Sequence, residues 1–286
     1  MAHRTLTWQN SSGRTIYSQS WHPDSDRNSD GSTNAKNIIV LIPGLGDHSG
    51  RYSSWAERFV AQGVAVYSLD THGHGKTSGR RGHTESFQLI YDDIKHLLAA
   101  ARKDYPQARM HLYGHSMGAA LSLGYVTLRG ADLAEIKLTS LICTGTIVRP
   151  GFEPAPWKIM LATHLDSLVP GLALGNELDP NWISSNASIV SAYKQDPLVH
   201  DRITVRWYNE WMQTIAAVKA HVGPLQIPVF MLHGAADKAA SPAAARDLAA
   251  GLTAKFQMFE GAYHELHFEA CQGEVFSSVL SWIKGE

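Results

Sequence analysis

Gly114-His115-Ser116-Met117-Gly118 is the stretch of this chain whose residue types and spacing could do covalent chemistry. A short apolar run, Met110 to Tyr113, leads into it, and an alanine- and leucine-rich segment leads away. That pattern predicts a buried strand turning sharply into a helix. At such a turn the serine is held in strained backbone geometry, and residues without side chains are needed two places before and after it, where Gly114 and Gly118 stand. The Ser116 hydroxyl is then lifted clear of the sheet, in front of the free N–H groups of the helix start. Taken alone, a serine between two glycines is also an ordinary turn, so other residues must decide.

A nucleophilic serine needs a base within hydrogen-bond reach and an acid that fixes the tautomer of the base. After an elbow of this kind the chain order is serine, acid, histidine, each on a loop that follows a strand. Asp237 follows the run ending His233-Gly234, and His264 follows the run ending Phe259-Glu260-Gly261. Singly, Asp237 would be a helix cap or a solvated loop acid and His264 a surface imidazole. In register behind Ser116 they read as a triad, Ser116, His264 and Asp237. Metal chemistry is not indicated. His264-Glu265-Leu266-His267 spaces its histidines by three and not by the four of a helical zinc motif, and His72 and His74 lack further ligands.

The elements that must position these groups can be read from the apolar periodicity. Residues 4–22 read as a strand pair at a sheet edge, Asp24 to Lys36 as a loop, and Asn37 to Ile42 as a strand buried on both faces. A helix from Ser53 to Gln62, a strand from Val64 to Leu69, and a helix from about Ser86 to Asp104 follow. Beyond Ser116 come a helix ending before Gly130 and a strand from Leu138 to Cys143. This alternation predicts a mostly parallel central sheet flanked by helices. Residues 150–222, rich in proline and in short amphipathic stretches, break the rhythm and read as an inserted helical cap. The core is therefore expected in two parts, 1–149 and 223–286, where Val229 to His233, Pro242 to Leu252, Phe256 to Phe259 and Glu274 to Lys284 restore the alternation.

With 286 residues, 44% of them hydrophobic, the chain can bury a full core. Its 25 basic and 26 acidic residues give a net charge of −1, with no field that would steer a polyanion, so nucleic acid is not an expected partner. Cys143 and Cys271 form no ligand-spaced cluster. The start lacks a charged-then-apolar leader pattern, which gives a cytoplasmic expectation.

The chain resembles the α/β-hydrolase superfamily, and within it the monoglyceride lipase and lysophospholipase branch related to serine aminopeptidases of the S33 type. The resemblance runs from Pro43 to Trp282 and rests on Gly44-Leu45-Gly46-Asp47-His48-Ser49-Gly50-Arg51-Tyr52, Asp70 to Gly79, Gly114 to Gly118, Asp196-Pro197-Leu198, His233 to Asp237 and Gly261 to His264. It implies an oxyanion hole built from the N–H groups of Leu45 and Met117. Pro43 stands where relatives carry histidine. It also implies a glycerol pocket at Asp47, Arg51 and His267, with Asp47 one methylene shorter than the usual glutamate; a simple ion pair between Asp47 and Arg51 is the competing reading. The reaction it implies is ester hydrolysis through an acyl-enzyme, with no cofactor and a small lipid ester as substrate. Monoacylglycerol comes first; a lysophospholipid, a short-chain ester, or a non-catalytic binding role are the alternatives. The apolar residues between Trp157 and Leu174 would pack on the core, line an acyl tunnel or rest peripherally on a membrane surface.

Overall fold

The computed structural model describes residues 1–24, 35–221 and 223–286. Most of the loop expected between Asp24 and Lys36, and the last residue of the expected cap, lie outside them. The chain opens with an antiparallel hairpin, β1 (Ala2–Gln9) and β2 (Thr15–His22), in full register from Ala2 with His22 to Gln9 with Thr15. Its outer strand is almost entirely exposed, as befits a sheet edge, whereas β2 is buried where it meets the rest of the sheet.

Behind it, β3 (Asn37–Ile42) is buried along its whole length, followed by a short 3-10 turn at Ser49–Tyr52 and α1 (Ser53–Val60). Next come β4 (Val64–Leu69), α2 (Phe87–Asp104), β5 (Arg109–His115), α3 (Met117–Leu128), α4 (Gly130–Ile136) and β6 (Leu138–Thr144). Strand alternation divides the core in two. Ile38, Val40 and Ile42 face a cluster containing Ile90, Ile94, Leu97 and Leu121, while Ile39 and Leu41 face Trp55, Phe59 and Val275 on the other side.

The next segment holds α5 (Pro156–Leu165), a small antiparallel pair of β7 (Ala173–Gly175) with β8 (Arg202–Thr204), and between them α6 (Ala187–Gln195). Ile183, Val190 and Tyr193 make a small separate cluster there. Then comes α7 (Val205–Ala220), whose Thr204 cap accepts from the Trp207 N–H. Trp207, Trp211, Ile215 and Val218, one stripe of α7, enter the main core against α3. The last stretch of residues 150–222 thus packs as core, and the part with its own cluster ends near β8.

The chain closes with β9 (Val229–Gly234), α8 (Pro242–Gly251), β10 (Lys255–Phe259) and α9 (Gln272–Lys284). The main sheet has the order β1-β2-β4-β3-β5-β6-β9-β10. The pairings of β1 with β2 and β2 with β4 are antiparallel and the others parallel. The carboxyl ends of β3, β5, β9 and β10 therefore open on one rim, where such sheets hold their ligands.

Candidate active site

Ser116 sits between the end of β5 and the start of α3 with φ +55° and ψ −117°, a conformation that L-residues rarely adopt. The two glycines make it attainable. A side chain at Gly118 would run into the backbone carbonyl of Ile42, and one at Gly114 into the backbone of Gly118 and Ala119. The Ser116 N–H donates to Thr144 O at 2.8 Å, fastening the elbow to β6.

The structure brings the three expected groups together. Ser116 Oγ lies 2.8 Å from His264 Nε2, and His264 Nδ1 lies 2.7 Å from Asp237 Oδ2. All three are buried. With Asp237 accepting at Nδ1, that nitrogen carries the proton and Nε2 is left to accept from the serine. Burial alone would disfavour a charged His264, but the Asp237 charge and its hydrogen bond outweigh it, and the imidazole is held above its ordinary value. Asp237 moves the opposite way. Burial pushes it up, yet His264 and His233 hold the carboxyl well below the usual carboxylate range.

Two residues around these three were not expected from the sequence. His233 Nε2 is 3.0 Å from the same Asp237 oxygen that His264 uses. Glu269 is buried, accepting from Ser184 Oγ at 2.6 Å and Ser185 N at 2.7 Å on one oxygen and from Tyr263 N at 3.1 Å on the other. It ties the segment before α6 to the residue preceding His264.

The loop after β3 comes up against Ser116. A side chain at Gly44 would stand 3.2 Å from Ser116 Cβ. Leu45 and Met117 line the same cavity as Ser116, and the Met117 N–H, first in α3, has no acceptor within its helix. The loop is held from the segment following α6: His200 N donates to Gly46 O at 3.1 Å, and His48 Nε2 meets Asp196 Oδ2 at 2.9 Å. Gly46, at φ +75°, has no room for a side chain because the His200 carbonyl occupies it.

Asp47, Arg51 and His267 cluster behind that loop and are absent from the walls of the apolar cavity. Arg51 makes two 2.7 Å bonds to Glu265 and a 3.1 Å contact with Asp47 Oδ1, and the other Asp47 oxygen accepts from Tyr52 OH at 2.8 Å. Asp47 and Glu265 hold the guanidinium charged well beyond its ordinary range against the opposing effect of burial. His267 stacks on Tyr52 with ring centres 4.8 Å apart, and neither of its ring nitrogens has a hydrogen-bond partner among the described residues. Burial drives it toward the neutral form, reinforced by Arg51.

From Ser116 an apolar cavity, part of it open to solvent, extends under α5 and β7. Ile147, Phe152, Ile159, Ala162, Leu174 and Trp211 are among its walls, and Lys158, paired with Glu177 at 2.9 Å, also borders it. Such a site can hold an extended apolar group with its polar end at the serine.

The family model described as serine aminopeptidase, S33, matches residues 33–270. An uncharacterised abhydrolase domain-containing protein of Dictyostelium discoideum is 32% identical over 251 residues, which cover 86% of this chain and only 26% of that longer protein. The monoacylglycerol lipase of Mycolicibacterium smegmatis is 30% identical over 267 residues, 92% of this chain and 90% of that one. Among solved structures, the monoacylglycerol lipase of Paleococcus ferrophilus superposes with a TM-score of 0.80 at 28% identity, covering 94% of this chain and 98% of the other.

Proposed function

We propose, from the premise that the chain belongs to the serine aminopeptidase S33 family of α/β-hydrolases, that it is a serine ester hydrolase cleaving monoacylglycerol to glycerol and a free fatty acid. The observation that carries the reading is the run of short contacts from Ser116 through His264 to Asp237 at the end of an apolar cavity.

In this reading His264 Nε2 takes the Ser116 proton as Oγ attacks the ester carbonyl carbon. The carbonyl oxygen, now negative, receives the N–H groups of Leu45 and Met117, and Asp237 stabilises the imidazolium. As the intermediate collapses, the carbon–oxygen bond to glycerol breaks and His264 gives its proton to the departing oxygen. The acyl chain stays on Ser116 and lies along the cavity. A water molecule then attacks, losing its proton to His264, and the fatty acid leaves as Ser116 Oγ recovers that proton.

The glycerol end is assigned to Asp47, Arg51 and His267. Two unpartnered nitrogens on a buried imidazole are a cost that a substrate hydroxyl or a water removes. The Arg51, Glu265 and Asp47 network keeps the surrounding loop in place for it. Contact with a lipid surface is assigned to the outer face of α5 and the turn after it, where Trp157 is 53% and Leu168 74% exposed. No helix among the described residues is long and apolar enough to cross a membrane.

The test is a panel of monoacylglycerols of varied chain length, lysophosphatidylcholine and p-nitrophenyl esters, run on the native protein and on Ser116→Ala. Hydrolysis of monoacylglycerols above the other substrates, abolished in the variant, is expected. Preference for lysophosphatidylcholine would overturn the substrate, and ester turnover surviving in Ser116→Ala the mechanism.

A further inference from the structure

We infer that His233 is a positioning residue for the proposed acid, holding the Asp237 carboxylate on His264 by placing a second imidazole nitrogen against the same oxygen. The inference rests on the triad reading above and deepens it.

His233 is the penultimate residue of β9 and is almost fully buried. The turn that follows, closed by Asp237 N donating to Gly234 O at 3.3 Å, folds the chain back so that residue 237 faces residue 233. Gly234 permits this, since a side chain there would strike the carbonyls of Ala262 and Tyr263 in the loop that carries His264. His233 Nε2 then has two acceptors around it, Asp237 Oδ2 at 3.0 Å and Ala240 O at 3.3 Å. The Nε2–H is aligned with the Ala240 carbonyl, so a backbone bond places the proton on this nitrogen, facing Asp237. The other Asp237 oxygen accepts from Ala239 N at 2.8 Å and Ala240 N at 3.0 Å.

With three N–H donors and the His233 imidazole nitrogen 3.0 Å from Oδ2, the carboxylate is held in one orientation, and Oδ2 sits between two imidazoles. A donor that disperses charge on Oδ2 makes it a weaker acceptor for His264 and moderates the stabilisation of the imidazolium. The other titratable groups around His264 are His115, His267, Arg51, Asp47 and Glu265. Among the described residues, none of these five hydrogen-bonds to Asp237.

The experiment compares the pH dependence of kcat/KM for p-nitrophenyl butyrate, and the low-field proton resonance of His264 Nδ1–H, in the native protein, His233→Phe and His233→Gln. Loss of the donor in His233→Phe should move the midpoint about half a pH unit upward and the resonance further downfield, with His233→Gln bringing both back. Native values of both in His233→Phe would overturn the inference. Independently of any variant, ¹⁵N-histidine spectra of the native protein should show His233 protonated on Nε2 while His264 titrates; a proton on Nδ1 alone would equally overturn it. Failure of the triad reading is separable, because it appears as turnover retained in Ser116→Ala or His264→Gln, variants that leave His233 untouched.

Discussion

Arg51 and Glu265 face each other through two parallel hydrogen bonds of 2.7 Å, Nη1 to Oε1 and Nη2 to Oε2. One belongs to the loop that carries the Leu45 N–H and the other is the residue after His264, so a single buried pair joins the two loops that the reaction must hold in register.

Replacing one member of that pair strands the other. Arg51→Ala leaves the Glu265 carboxylate buried beside Asp47 without its partner, and we expect a loss of about 3–5 kcal/mol in unfolding free energy. Urea denaturation of the variant measures it. A change below about 1 kcal/mol would place the pair with ordinary surface ion pairs.

In the proposed mechanism activity depends on neutral His264. Its folded-state pKa is raised above the ordinary value of about 6.5 by Asp237 against the opposing effect of burial. The rate should therefore climb with pH through a midpoint above that value, and kcat/KM measured from pH 5 to 9 checks it. A plateau already complete at pH 6 would contradict the assignment of His264 as base.

Stability should respond in the opposite sense on the two sides of neutrality. His74, His115 and His267 are held well below their ordinary values by burial, with charged or imidazole neighbours adding to it. Burial likewise lowers His111 to about 3 and His200 to about 4. Below about pH 6.5 the unfolded chain takes up protons that these five refuse in the fold, so stability falls as pH falls from there. His264 works the other way: its contribution is present below about 6.5 and is lost as pH rises through its folded value. Tm should fall steeply between pH 6.5 and 4.5 and only shallowly above 7. A flat acid limb would show that these histidines are solvated.

Strain at Ser116 is separable from its proposed chemistry. Ser116→Ala should lose turnover on the order of 10⁶-fold with unchanged Tm. Ser116→Gly should lose activity equally but gain about 1 kcal/mol in stability, because glycine adopts φ +55° without the steric penalty. Equal Tm for the two variants would remove strain from the account of the elbow.

The exposed apolar face offers a binding test independent of catalysis. A Trp157→Ser, Leu168→Ser double variant should bind phosphatidylcholine vesicles about tenfold or more weakly, with hydrolysis of p-nitrophenyl butyrate unchanged. Vesicle co-sedimentation at equal protein concentration reads it, and equal pelleting would move the lipid contact elsewhere.

Much of this arrangement was legible in the chain because it is written locally. The turn glycines, the β-branched runs and the order of serine, acid and histidine are short-range patterns, and the elements they predict agree with the fold to within a residue or two at most ends. What stayed hidden depends on pairs far apart. Glu265 stands beside the histidine on which the triad turns, but its partner is 214 residues away, and nothing in either neighbourhood announces the other. His233 could have been noticed four places before Asp237, though only the fold-back at Gly234 turns that spacing into a contact. The stripe of Trp207, Trp211, Ile215 and Val218 was readable as helical. That it packs on α3 follows from α3 being buried nearly all round, which requires a second neighbour besides the sheet.

The Gly46 carbonyl accepts from His200, and the room a side chain would need at Gly46 is filled by the His200 carbonyl. Residues 44–51 and 196–200 therefore form one fitted joint although 144 positions of chain separate their nearest ends. Exchanging residues 150–204 for the corresponding segment of a relative, as one would to transplant acyl-chain preference, brings in a foreign half of that joint. A chimaera that also carries the relative's 44–51 loop keeps the joint intact, so recombination of these enzymes has to treat the two stretches as a single module.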